Sequence, residues 1–138
     1  MERRLLQLLV AVAGLVPVGG GMLLALWGAG AMGEIVRADL DSHLRYLSGL
    51  LAAIGVAYWT AIPEIEKEGA KIGLLTAIVV AGGFARAVGV LIMGPPGPLM
   101  TGALGMELVV APAIYFWQLR IQRAAATPAP VDAAAPQD

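Results

Sequence analysis

Cysteine is absent from the 138 residues, and histidine occurs once, as His43. The first absence excludes disulfides, a thiolate nucleophile and a thiolate-bound metal. The second leaves no donor set for an ordinary zinc site. Charge is scarce as well: Asp, Glu, Lys and Arg together make up 14% of the chain, where a soluble domain carries about a quarter. Nine Lys and Arg nearly cancel ten Asp and Glu, so the basic surface of a nucleic-acid binder is missing. In their place stands a hydrophobic fraction of 59% and a mean hydropathy of +0.79. Such a composition describes a small integral membrane protein and excludes a water-soluble globule.

A helix crossing a hydrocarbon layer of ~30 Å needs about 20 mainly apolar residues. Four stretches meet that length: Leu5–Trp27, Leu40–Ile62, Ile72–Met93 and Leu99–Leu119. The third is interrupted by Arg86 and the fourth by Glu107. Helices satisfy their own backbone hydrogen bonds in lipid, and the alternating pattern of a membrane barrel is missing. The connections are short, and the last, Gly94-Pro95-Pro96-Gly97-Pro98, cannot be helical. The predicted fold is therefore all-α: four transmembrane helices in an up-down-up-down antiparallel bundle over residues 1–123. The Ala/Pro-rich remainder, 124–138, reads as a disordered tail.

Lys and Arg set orientation. Arg3, Arg4, Lys67, Lys71, Arg120 and Arg123 fall on one side of such a bundle, with Arg37 and the borderline Arg45 on the other. Both termini are thus expected in the cytoplasm. Arg3-Arg4, an apolar run and Ala29-Gly30-Ala31 do resemble a cleavable leader. The run is much longer than a leader's ~7–15-residue apolar region, however, and retention of the first helix is expected.

Arg86 and Glu107 carry the argument about function. Arg86 lies seven residues before Met93 and Glu107 eight after Leu99, so both sit about 10–12 Å below the outer helix ends at the α-helical rise. Equal depth on sequential helices predicts an ion pair, since each charge alone would cost roughly 2.5–3.5 kcal/mol at mid-membrane. Gly82, Gly83 and Gly89 share a face with Arg86, and Met100, Ala103, Ala111 and Ile114 share one with Glu107. Arg45 lies in the same outer half and can pair with Asp41 at i,i+4, while His43 projects away from Arg45 around the helix.

Other signals explain themselves blandly. Tyr58-Trp59 and Tyr115-Phe116-Trp117 suit an aromatic belt. Gly19-Gly20-Gly21 follows no strand and lacks the Lys of a phosphate loop. His43 with Met93 or Met100 makes a poor haem ligand set, and no cofactor or metal is expected. Asp41, Ser42 and His43 are consecutive on a helix and diverge, so they form no triad.

The stretch Asp41-Ser42-His43-Leu44-Arg45-Tyr46-Leu47-Ser48-Gly49, with Ile62-Pro63-Glu64, Gly82-Gly83-Phe84-Ala85-Arg86 and Glu107-Leu108-Val109-Val110-Ala111-Pro112, resembles the "domain of unknown function 4345" family. The resemblance covers about residues 3–122. It implies a bacterial inner-membrane setting and the same four-span plan, and it supplies no activity. Asp41, His43, Arg45, Arg86 and Glu107 are the candidate ligand-binding residues.

The leading expectation is a non-enzymatic binding or accessory protein with a periplasm-facing Arg/Glu/His pocket. Its partners would be the bilayer, a small amphipathic anion or lipid head group, or a helix of a second copy or membrane complex. The alternatives are a small oligomeric carrier with Glu107 titrating, and an ion pair that serves structure alone.

Overall fold

A computed structural model describes residues 1–126; of the expected tail at 124–138, residues 124–126 continue the last helix and 127–138 lie outside the described residues. Helix α1 spans Glu2–Trp27 and continues as a 3₁₀ turn, Gly28–Met32; α2 spans Ala38–Thr60 and α3 spans Gly69–Met93. The fourth helix, α4, covers Pro98–Ala126 and widens to a π turn at Met106–Val110. The described residues contain no strand.

Local chemistry sets the ends. Gly28 closes α1 at φ 60°, a left-handed conformation that favours glycine. Asp39 and Asp41 occupy the first turn of α2, where negative charge meets the positive end of the helix dipole. Gly94 ends α3, and Pro98 opens α4 at a position where its missing N–H costs nothing. Thr101 Oγ1 donates to the carbonyls of Pro96 and Gly97 at 3.1 and 3.3 Å, tying that turn to its helix.

Three helices, α1, α3 and α4, are long and apolar enough to cross a membrane, which suggests a membrane protein. Helix α2 coincides with the expected second span and does not reach the same apolarity. Asp41, His43, Arg45 and Ser48 crowd into its first half and dilute it.

Two helix pairs make up the molecule. Along α1 and α2 the contacts run in opposite order. Arg3 donates to the Pro63 carbonyl, Gln7 to that of Ile62, and Trp59 Nε1 to that of Ala11. Nearer the other end, Gly21 lies against the backbone of Ser48 and Ala52, and Arg45 reaches the carbonyls of Ala25 and Leu26. Glycines make the approach possible: Gly55 leaves room for Pro17 and Val18, and Gly14 for the Trp59 ring. Helices α3 and α4 pair likewise, Gly69 beside Gln118 and Gln122, Gly73 beside Tyr115, and Gly83 beside Leu108 and Glu107.

The two pairs meet at one end only. Leu6, Val10, Tyr58, Ala61, Ile65, Ile72, Leu75, Ile114 and Ile121 form one core cluster. Those residues come from the first half of α1, the last turn of α2 and the 61–68 loop, the first half of α3 and the last half of α4. Tyr58 and Thr76 share a hydrogen bond of 2.8 Å across the α2–α3 contact. Beyond this zone, residues 98–110 approach α3 but neither α1 nor α2. Leu91, Ile92, Met93 and Leu99 are accordingly largely exposed. The core end thus leaves the other halves of both pairs apart.

Candidate functional site

Arg86 and Glu107 meet on the separated half of the α3–α4 pair. Gly83, one turn before Arg86, lets α4 come close enough that an added Cβ would lie 2.9 Å from the Glu107 Cβ. Arg86 Nε donates to Glu107 Oε2 and Nη2 to Oε1, both at 2.9 Å. This is the side-on fork that a planar guanidinium offers a carboxylate, and it is stronger than a single-point contact. The side chains are 31% and 15% exposed, so the carboxylate is the better sheltered. The third guanidinium nitrogen, Nη1, donates to the Met100 sulfur at 3.3 Å. A thioether is a weak acceptor, so the Nη1–Nη2 edge of Arg86 keeps donor capacity.

Backbone irregularity coincides with the pair. Ala111 N–H donates to the Met106 carbonyl, five residues back, so it does not serve the Glu107 carbonyl as a regular helix would. The donor one step further along is Pro112, which has no N–H. Glu107 therefore presents a carbonyl that neither its i+4 nor its i+5 neighbour satisfies. Wide turns of this kind concentrate at functional sites. On regular helical spacing Pro112 leaves the Leu108 carbonyl, one turn back, without its donor; the wide turn, and with it the bare Glu107 carbonyl, was not legible in the sequence.

The second charged cluster is separate. Arg45 Nε donates to Asp41 Oδ2 at 2.6 Å, and Nη1 donates to the Leu26 and Ala25 carbonyls at 2.6 and 3.3 Å. Asp41 Oδ1 accepts from the Ala29 N–H at 2.8 Å. Arg45 thereby caps the last carbonyls of α1 while Asp41 holds the turn that follows. Among the described residues no hydrogen bond or ion pair joins this cluster to Arg86 or Glu107. His43 is exposed and lines a shallow open depression with Arg37, Asp39 and Leu40. The small-residue face of α3 divides similarly: Gly83 is packed by α4, whereas Gly82 and Gly89 have no neighbour within 4 Å. No group of three His, Asp or Glu able to hold a metal occurs among the described residues.

Sequence patterning missed the polar groups at the core end. Gln118 is fully buried and donates to the Ile65 carbonyl at 3.0 Å and to Gln122 Oε1 at 3.2 Å. Gln7 and Arg3 hold the same 61–68 loop from α1. An amide inside an apolar run was the available signal, since Gln7 and Gln118 both interrupt otherwise apolar spans. Nor are all the aromatic residues a belt: Tyr58 is buried against Thr76, and Trp59 is a half-buried donor to α1.

No curated protein and no solved structure matches the chain. A family model does: it covers residues 5–118 and so takes in α1, α2, α3 and most of α4, with both charged clusters. The chain belongs to the family described as "Domain of unknown function (DUF4345)".

Proposed function

We propose that this is a four-span binding or accessory protein of the bacterial inner membrane, in which Arg86 and Glu107 form the ligand site. The helices run up-down-up-down, with both termini and the basic 61–71 segment in the cytoplasm. That arrangement puts most Lys and Arg on one side and gives α2 a crossing supported along its length by α1. The Arg86–Glu107 pair then lies within the outer half of the bilayer, facing outward between the separated helix pairs. The observation that carries the reading is the free guanidinium edge: Glu107 occupies Nε and Nη2, and only a thioether faces Nη1. Intramembrane charges mark functional sites more often than structural ones. An oxygen-rich head group or a partner's polar side chain can use that edge without breaking the ion pair. Asp41 and Arg45 fix the end of α1 to α2 apart from this site, and His43 faces the open depression beside them.

A structural reading has its own observation, the complete side-on engagement of Glu107. Buried pairs can fix register, and well-packed apolar replacements can then be neutral or stabilising. Mass spectrometry of protein released from gentle detergent separates the two. Under the binding reading Arg86→Gln loses a co-purifying small molecule while remaining folded. A double Arg86→Leu, Glu107→Leu variant that retains every bound species and melts no lower than the parent would make the pair structural. Flux into proteoliposomes that follows a pH gradient and vanishes in Glu107→Gln would replace both readings with a carrier.

A further inference from the structure

We infer that the Arg86–Glu107 site takes a zwitterionic head group that carries a phosphodiester and a primary ammonium, as in phosphoethanolamine lipids. The inference rests on the binding reading above and names its ligand class.

Charge balance is the first argument. The pair is side-on and complete, so the site is neutral before any ligand arrives. In a low-dielectric surrounding an added anion leaves one uncompensated negative charge, and an added cation one positive charge, either at high cost. A ligand that carries both signs adds none.

The second argument is the pair of valences left over. On the donor side, the Nη1–Nη2 edge of Arg86 meets only the Met100 sulfur, a contact that an oxyanion displaces with gain. Met100 is the third residue of α4, so this edge faces the Pro98 end of the helix, the side from which a head group reaches down to it in the proposed orientation. On the acceptor side stands the Glu107 carbonyl, deprived of its α-type donor by the π turn and of its π-type donor by Pro112. A phosphate needs the first and an ammonium N–H the second. Phosphocholine brings the phosphate without an N–H, and phosphoglycerol brings it without the cation.

The test uses the full chain in nanodiscs of equal phosphatidylethanolamine, phosphatidylcholine and phosphatidylglycerol, with lipids retained on gentle release counted by native mass spectrometry. Phosphatidylethanolamine is expected to exceed each of the others by about tenfold, the worth of one charge-assisted hydrogen bond. Arg86→Lys keeps the charge and loses the planar edge, and retention of all three should fall. Pro112→Ala restores an N–H that serves the Glu107 carbonyl, from position 112 itself in the wide turn or from Ala111 in a regular one. Its ethanolamine-over-choline preference should collapse toward unity while phosphate-dependent retention stays. Arg120→Gln, at the opposite end of α4, should match the parent. Displacement by excess glycerophosphoethanolamine would assign the ligand to a soluble source with the same chemistry, and persistence would assign it to the membrane. Phosphatidylglycerol retained as well as phosphatidylethanolamine, with loss in Arg86→Lys, overturns this inference and leaves the binding reading standing. Retention indifferent to Arg86→Lys overturns both.

Discussion

Three of the arginines on the helices meet three different fates. Arg86 is locked to a carboxylate through one edge and keeps the other. Arg45 spends its donors on Asp41 and on the terminal carbonyls of α1. Arg120 reaches Glu2 across the exposed basic end, at 3.2 Å with both side chains largely exposed, where a pair contributes little. Arg45→Gln should therefore act on the end of α1 and the turn beyond it, whereas on the proposed binding reading Arg86 variants act on ligand retention. Limited proteolysis of detergent-solubilised protein measures the former. Cleavage within residues 28–37 should rise several-fold in Arg45→Gln and in Asp41→Asn, and stay at the parental rate in Arg86→Gln. Equal cleavage in all three would show that the Arg45 cap does not hold that turn.

At the scale of the helix, close approach decides which small residues matter. A Cβ at Gly21 would stand 2.6 Å from the Ser48 carbonyl oxygen and 2.7 Å from the Ala52 nitrogen, and backbone atoms cannot swing aside. Gly20, its neighbour, has nothing within 4 Å. Gly21→Ala should cost about 1–3 kcal/mol by overpacking. Gly20→Ala should cost nothing and gain up to ~1 kcal/mol of helix propensity. Thermal melts of the two variants in one detergent compare them directly, and equal melting temperatures would mean that α1 and α2 are not in contact there. The sequence cannot tell these glycines apart, because their difference arises only when a second helix arrives. The helices themselves were legible, since span length and the Gly-Pro-Pro-Gly-Pro break depend on local chemistry. So was the Arg86–Glu107 pair, because depth below a helix end is counted along the chain. The separation of Arg45 and His43 from that pair was not, since the distance between neighbouring helix pairs depends on packing that no periodicity encodes. The π turn lay equally out of reach, because Pro112 fixes a missing donor and not the direction in which the helix relaxes.

For the whole molecule, the absence of cysteine is experimentally useful. Single cysteines at Ala31 and Gly97 should react with an impermeant maleimide added to spheroplasts, and one at Glu64 only after lysis. Labelling at Glu64 before lysis would invert the proposed orientation. The end carrying the 61–68 loop also has its own dependence on acidity. Arg3's hydrogen bond to Glu66, followed by Glu66's own backbone N–H, holds that carboxyl below the ordinary glutamate range. A lowered value in the folded state means stabilisation that is present above the ordinary range and lost as pH falls through the folded value. Melting temperature should therefore decline on acidification below the ordinary glutamate range. In Glu66→Gln that limb should be flatter and the neutral-pH value lower. An unchanged acid limb in the variant would remove Glu66 from the cause.

The core confined to one end gives the molecule the mechanics of tweezers. Squeezing the free tips bends the joint instead of shearing packed side chains, so a modest lateral force produces a large change in gap.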